Sequence, residues 1–447
     1  MIVPGTRLLV VFALAGMPLI GLATFVPSMF ALSAALLGVI VVTALGDAFL
    51  SSRFFDGVTV QMPEVVHLSK NRDGQIHGQL KLSCKTKQVR IGLDLPSELH
   101  PQQDSLTLTV SDQEDMPSSF TFTCNPSKRG NFVLNACYLE VYSTLKLWVI
   151  RTSVPIQTEI RVYPNLVTEQ KKLSALFLNR GTFGLHAQRQ IGKGREFEKL
   201  REYIPGDSYE DIHWKATARR GHPITKVYQL ERTQEVYVVL DASRMSGKSV
   251  RQAANLDSAT TVLEYLVTSA LIVGLAAEKQ GDLFGLIAFD KQILRFVRAK
   301  SGKSHYRTCR DALYALEPSN ATPDFEELAS FISLRLRRRA LIIILTNLDD
   351  PLIAEGFVKT MDMIRQKHLI LVNMVKPEGI KPVFSDSHVN TTNDIYESLG
   401  YHLQWANLWE LKKLLQSRGI TFSTIDKERL SVELVSQYIN VKQRQLL

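Results

Sequence analysis

Hydrophobic and polar positions change rhythm three times along the chain. From Leu8 to Leu45 apolar residues run almost without a break, and no charged residue lies between Arg7 and Asp47. Pro27-Ser28 divides this run into spans 8–26 and 29–47, each close to the roughly 20 residues that cross a bilayer core. The pattern predicts a transmembrane helical hairpin within residues 1–53. A cleaved signal peptide is the competing reading. Its basic region would be Arg7 alone, and it needs no second apolar run. Arg7 precedes the hairpin, Arg53 follows it, and the turn carries neither Lys nor Arg. By the positive-inside rule the soluble part then faces the cytoplasm from the plasma (inner) membrane.

Residues 54–164 switch to period-2 alternation, as in Leu106-Thr-Leu-Thr-Val and Ser119-Phe-Thr-Phe-Thr. Short alternating runs at intervals of about ten residues, with polar turns between them, predict a small antiparallel β-sandwich. The strands Lys146-Leu-Trp-Val-Ile-Arg and Glu159-Ile-Arg-Val-Tyr-Pro would close it. Residues 165–234 are a polar connector. From 235 to 447 apolar strands alternate with helical stretches. The strands are Val236–Leu240, Leu283–Phe289, Ile293–Val297, Ala340–Thr346, Leu369–Met374 and Thr421–Ile425, and the helices include Leu256–Glu278 and Tyr396–Ser417. Strands that are apolar throughout and separated by helices predict a doubly wound α/β sheet covered on both faces. Ligands of such sheets meet the carboxyl ends of the strands, where Asp241, Ser243 and Asn347 would sit.

Composition changes this picture little. The chain has 447 residues, 45% of them hydrophobic, with a net charge of +9. No helix or ribbon concentrates basic residues with aromatics, which excludes nucleic acid as the partner. The four cysteines, Cys84, Cys124, Cys137 and Cys309, form no CxxC pair and no zinc spacing. The basic run Arg335–Arg339 falls at a helix C-terminus, where cations suit the helix dipole.

The connector contains the stretch densest in charge, aromatics and turn residues. Arg201 to Arg219 reads RxYxPGDxxxxIHWKxxAR, with Arg201, Tyr203, Pro205, Gly206, Asp207, Ile212, His213, Trp214, Lys215 and Arg219 at the named positions. This pattern resembles the signature of the domain-of-unknown-function 58 family, and the order of apolar segments, β-rich middle and α/β end resembles that family's layout. The resemblance implies a membrane-anchored protein with a von Willebrand factor type A-like domain. It further implies a scaffold role beside a MoxR-class AAA+ ATPase in assembling or activating client proteins. The crevice around Asp241, Ser243 and Thr322 is the expected contact.

The type A fold often carries a Mg²⁺-dependent adhesion site, with DxSxS after the first strand, a later Thr, and an Asp after the fourth strand. Here Asp241, Ser243 and Thr322 match, but Met245 replaces a serine and Asn347 stands where the carboxylate is expected. Met sulfur is a poor ligand for a hard cation, so the site implied is degenerate and weak or empty of Mg²⁺, unless Asp349 shifts in. No cofactor is expected.

Catalysis is disfavoured on the same residues. His213 has no marked nucleophile beside it, and Ser246-Gly-Lys248-Ser249 lacks the full phosphate-loop spacing. The expectation is that Ile212 and Trp214 dock the signature against the sheet while Lys215, Arg219 and Arg220 stay wet. A metal-dependent hydrolase centred on Asp241 is the alternative to a non-enzymatic scaffold. It lacks a general base placed near a nucleophile.

Overall fold

The computed structural model describes residues 1–82, 88–109, 117–179, 191–229, 234–250, 260–380, 382 and 392–444. The chain forms two compact units, Met1–Asn165 and Leu166–Leu447.

In the first unit, the apolar runs form two helical stretches, Thr6–Phe25 of 20 residues and Phe30–Ser51 of 22 residues. The second continues four residues beyond the expected end at Asp47. In the first, a wider π-type turn over Phe12–Gly16 precedes Pro18. A proline ring lacks an N–H and crowds the preceding turn, which this turn accommodates. The β-rich part is built from two sheets around one core. Strands 59–61, 74–81 and 118–124 make the smaller sheet. The larger one has the order 2–4, 148–163, 130–142, 88–93 and 106–109, with 65–69 also paired to 148–163. Ile76, Leu80, Phe120 and Phe122 of the first sheet pack with Val89, Ile91, Leu139 and Ile160 of the second.

Two expectations are corrected here, and one strand is added. The sandwich is not wholly antiparallel, because Val65–Ser69 runs parallel to Glu159–Tyr163. The two closing strands are one, Trp148–Tyr163, which passes through Pro155 at a register shift opposite Leu134–Ala136. A bulge is where a strand tolerates a missing N–H. Finally, Ile2–Pro4, ahead of the apolar run, is itself a strand paired with Trp148–Ile150.

The second unit contains the α/β sheet. Its strands are β1 (Glu235–Asp241), β2 (Leu283–Phe289), β3 (Ile293–Lys300), β4 (Ala340–Leu345), β5 (Leu369–Val375) and β6 (Thr421–Ile425). Their spatial order is 3-2-1-4-5-6, parallel except for the β2–β3 hairpin at the edge. Alternate residues of β1 face two separate cores. Val236, Val238 and Leu240 pack under helices Val262–Lys279 and Leu430–Gln443, while Tyr237 and Val239 pack under Phe325–Arg335 and Pro351–Arg365. This is why the strand sequence is continuously apolar rather than alternating. Gly285 on β2 is required by close approach: a Cβ there would lie 2.5 Å from the Tyr237 ring. The helix expected from Leu256 begins at Val262, and residues 251–259, like Cys84, lie outside the described residues. The sheet order reverses between β1 and β4, so the crevice lies above Asp241 and Leu345.

Candidate functional site

The signature forms a structure of its own. Strands Ile191–Glu202 and Ile224–Gln229 pair antiparallel, and residues 203–223 are the loop between them. Arg201 donates to Asp207 Oδ1 at 2.7 Å, and the Ile204 N–H donates to Asp207 Oδ2 at 3.1 Å. The Ile204 N–H, followed by Arg201, holds the Asp207 carboxyl below its usual range. Gly206, at φ +111°, supplies the turn that Pro205-Gly206 announces. Tyr203 stacks on Tyr209 with ring centroids 6.0 Å apart. His213 is the N-cap of helix Trp214–Arg220, its Nδ1 accepting from Ala216 N at 3.0 Å, and Gly221 closes the helix at φ +75°. His213 N donates to Ile224 O at 2.8 Å, and Thr217 Oγ1 accepts from Ile224 N at 3.0 Å.

These bonds fasten the loop to its strand through backbone and small polar groups, and Ile212 is buried there with Thr225. The expected docking of Trp214 is therefore wrong. Its indole is 69% exposed, beside exposed Lys215 and Arg219. Tyr209 (75% exposed) and Ile204 are outward as well. His213 is a helix cap.

The crevice loops converge as the strand order requires. Ser319 N donates to Ala242 O at 2.8 Å, and Arg244 N to Ala321 O at 2.9 Å, which brings the Thr322 loop beside the Asp241 loop. Asp241 and Ser243 are fully buried, whereas Thr322 is exposed. Asp241 Oδ1 accepts from Ser243 N at 2.8 Å, and its Oδ2 from Thr346 Oγ1 at 2.6 Å. Burial pushes this carboxyl's pKa up, opposed by hydrogen bonds from Ser243 and Thr346 and reinforced by the nearby charge of Asp290. Ser243 Oγ accepts from Met245 N at 3.3 Å, and Met245 is itself buried. Asn347 Oδ1 accepts from Asp349 N at 3.2 Å, while Asp349 Oδ2 is paired with Lys248 at 2.5 Å.

Thr346 and Asp290 are members of this cluster that the sequence reading passed over. Asp290 directly follows the apolar strand β2, as Asp241 ends β1, and that repetition was the available signal. The donor set does not fit a resident Mg²⁺. Both Asp241 oxygens already have protein donors, Met245 fills a hydroxyl's place, and Lys248 holds Asp349. Among the described residues no group of three or more His, Cys, Asp or Glu side chains is placed to hold a metal.

The 3-2-1-4-5-6 sheet with its antiparallel edge hairpin is a doubly wound α/β sheet, consistent with the von Willebrand factor type A-like domain that the signature implies. Residues 199–381 match the family model described as "Protein of unknown function DUF58", the family whose signature they resemble. The uncharacterized proteins Rv1480 of Mycobacterium tuberculosis and Mb1516 of Mycobacterium bovis are each 22% identical over 196 residues, 42% of this chain. The chain spans 58% of the length of these curated relatives. Among solved structures, BatB from Bacteroides thetaiotaomicron aligns at 18% identity and a TM-score of 0.28, covering 47% of this chain and 99% of that one. An aerotolerance-related membrane protein from Bacteroides fragilis aligns at 14% and 0.28, covering 46% and 98%. The SpRpn10 VWA domain aligns at 11% and 0.27, covering 46% and 95%.

Proposed function

We propose that the protein is a membrane-anchored interaction scaffold that presents the 203–223 loop to a protein partner, with a MoxR-class AAA+ ATPase as the first candidate. The observation that carries this reading is the exposure of Trp214 on a loop whose polar framework is internally satisfied. An exposed Trp on the same loop as exposed Tyr209 and Ile204, with Lys215 and Arg219 also exposed, has the composition of an interface hot spot. Two bilayer crossings are supported by the meeting of both helix ends with one β-hairpin, since Gly5 N donates to Leu147 O and Thr144 N to Ser51 Oγ. Arg7 and Arg53 on that side favour the cytoplasmic orientation. The hydrolase alternative has little support, because Asp241 is fully buried with a protein donor on each oxygen and no nucleophile–base pair adjoins it among the described residues.

The test compares the solubilised full chain with its Trp214→Ala/Tyr209→Ala variant for capture of the candidate ATPase. Loss of capture with an unchanged melting curve is the expected result. Equal capture by both would move the interface elsewhere, and metal-dependent turnover lost in Asp241→Ala would replace the scaffold with the hydrolase.

A further inference from the structure

The two apolar helices end on folded protein. The tip Ser143–Leu147 joins strands Gly130–Tyr142 and Trp148–Tyr163, and it is fastened to both helix ends. Gly5 N, at the start of the first helix, donates to Leu147 O at 2.8 Å. In the second helix, buried Asp47 accepts from Ser143 Oγ at 2.5 Å and from Leu145 N at 3.0 Å. Trp148 Nε1 donates to Ala44 O at 2.7 Å. A carboxylate in an apolar helix is costly unless it is satisfied, and the tip supplies the donors. The tip therefore lies level with the last two turns of the second helix, Ala44–Ser51.

That level gathers residues far apart in sequence. Arg7, Arg53 and Lys146 are all exposed there. Lys146 is in the left-handed region at φ +59°, at the turn of the hairpin. Beside it Leu145 is 55% exposed, and Tyr142 is also outward. Exposed apolar and aromatic side chains ringed by cations, at the ends of membrane-length helices, have the chemistry of a headgroup contact.

We infer that Tyr142–Trp148 is a lipid-contact surface. Leu145 enters the boundary of the acyl region, and Arg7, Lys146 and Arg53 bind anionic headgroups. The inference rests on the reading of the two helices as membrane-spanning.

The test uses the full chain reconstituted in vesicles of phosphatidylcholine, with or without phosphatidylglycerol. An environment-sensitive fluorophore is attached at Leu145→Cys in a Cys84→Ser background. Cys124, Cys137 and Cys309 are buried, with burial pushing their thiols up to about 11, 11 and 12, so they do not compete for the label. The label should be blue-shifted and quenched by a lipid-confined quencher, more strongly with phosphatidylglycerol. A label at Val133→Cys, exposed on the same hairpin but nine residues back along the strand from Tyr142, roughly 30 Å away, should report water. The variant Arg7→Gln/Lys146→Asn/Arg53→Gln keeps a residue that tolerates the left-handed turn. It should abolish the phosphatidylglycerol dependence, each lost charge weakening headgroup binding about fivefold. Water-like emission at position 145 in both vesicles, or a triple variant indistinguishable from its parent, would overturn the inference while carbonate-resistant membrane retention left the spanning helices standing. Release by carbonate would overturn both.

Discussion

The crevice around Asp241 and the loop 203–223 are both polar, rich in turn residues, and held by side-chain bonds to backbone groups. They differ in what is left over. In the crevice the bonds consume the chemistry: Asp241 gives one oxygen to Ser243 N and the other to Thr346 Oγ1 and is fully buried. In the loop the bonds consume only the framework. Asp207 ties Arg201 to Ile204 N, and His213 caps the helix, but the side chains of Trp214, Lys215 and Arg219 take no part and face outward, and Tyr209, though stacked on Tyr203, is outward as well. The same device, a turn saturated by its own side chains, serves packing in one place and presentation in the other.

The largest expected effect separates these roles. Trp214→Ala with Tyr209→Ala should reduce partner capture by tenfold or more, the scale of losing a pair of aromatic hot spots. Trp214→Ala alone should leave stability within about 0.5 kcal/mol, as for surface substitutions generally. A cooperative loss of stability in that single variant would mean the indole is a structural wedge after all. Asp241→Ala should do the reverse. It strands Ser243 N and Thr346 Oγ1 in a dry site, where an unpaired group costs about 1–3 kcal/mol. Calorimetry should then show a melting point lower by several degrees, with capture unchanged. Reduced capture at an unchanged melting point would make the crevice the contact.

A smaller effect distinguishes buried groups by pH. His368 is buried at the end of the helix preceding β5, and neither ring nitrogen has a hydrogen-bond partner among the described residues. Burial, then the charge of Lys367, pushes its pKa down to about 4. Between the ordinary value near 6.5 and that lowered one, only the unfolded chain binds the proton, so stability falls as pH drops through this window. About 1–3 kcal/mol is at stake. Asp241 has the opposite sign, since its raised pKa makes the folded state the better proton acceptor on acidification. Chemical denaturation from pH 7 to 4 should show a shallower loss in His368→Leu than in the parent, and a steeper one in Asp241→Asn. Parallel curves in all three would remove both groups from the account.

Much of the α/β unit was legible in the chain. Continuous apolar strands such as Ala340–Leu345 can only be buried on both faces, and their alternation with helices leaves few topologies. The converging loops around Asp241 and Thr322 follow from that topology. The roles of individual side chains were less legible. Trp214 looked like a core residue because an indole usually is. Its exposure depends on His213, Thr217 and Ile212 having already fastened the loop, which is a matter of three-dimensional bonding. Thr346 was hidden by its neighbour Asn347, which drew the eye as a departure from the adhesion motif. The β-rich part was the least legible. Period-2 alternation marks strands but not partners, so the parallel pairing of Val65–Ser69 and the strand Ile2–Pro4 ahead of the first helix left no local trace.

The smallest expected effect concerns Mg²⁺. The chain should show no saturable binding of Mg²⁺ or Mn²⁺ in calorimetric titration, and the reason goes beyond the one composition offers. Met245 and Asn347 each weaken the donor set, and Asp241 adds a further obstacle because it is fully buried with a protein donor on each oxygen. Mg²⁺ demands near-ideal octahedral oxygens and surrenders its waters reluctantly, so it would have to share an Asp241 oxygen with Ser243 N or Thr346 Oγ1 inside a buried site. Met245→Ser with Asn347→Asp restores one hydroxyl and one charge and leaves Asp241 as it is. If ligand identity is the limit, this double variant should bind and its melting point should rise with added Mg²⁺. If the committed oxygens are the limit, binding should appear only when Thr346→Val is added, which frees Asp241 Oδ2. Saturable submillimolar binding by the parent chain, abolished by Asp241→Ala, would show instead that the Thr346 bond yields to the ion, and the contrast between a closed crevice and an open loop would narrow to Trp214 alone.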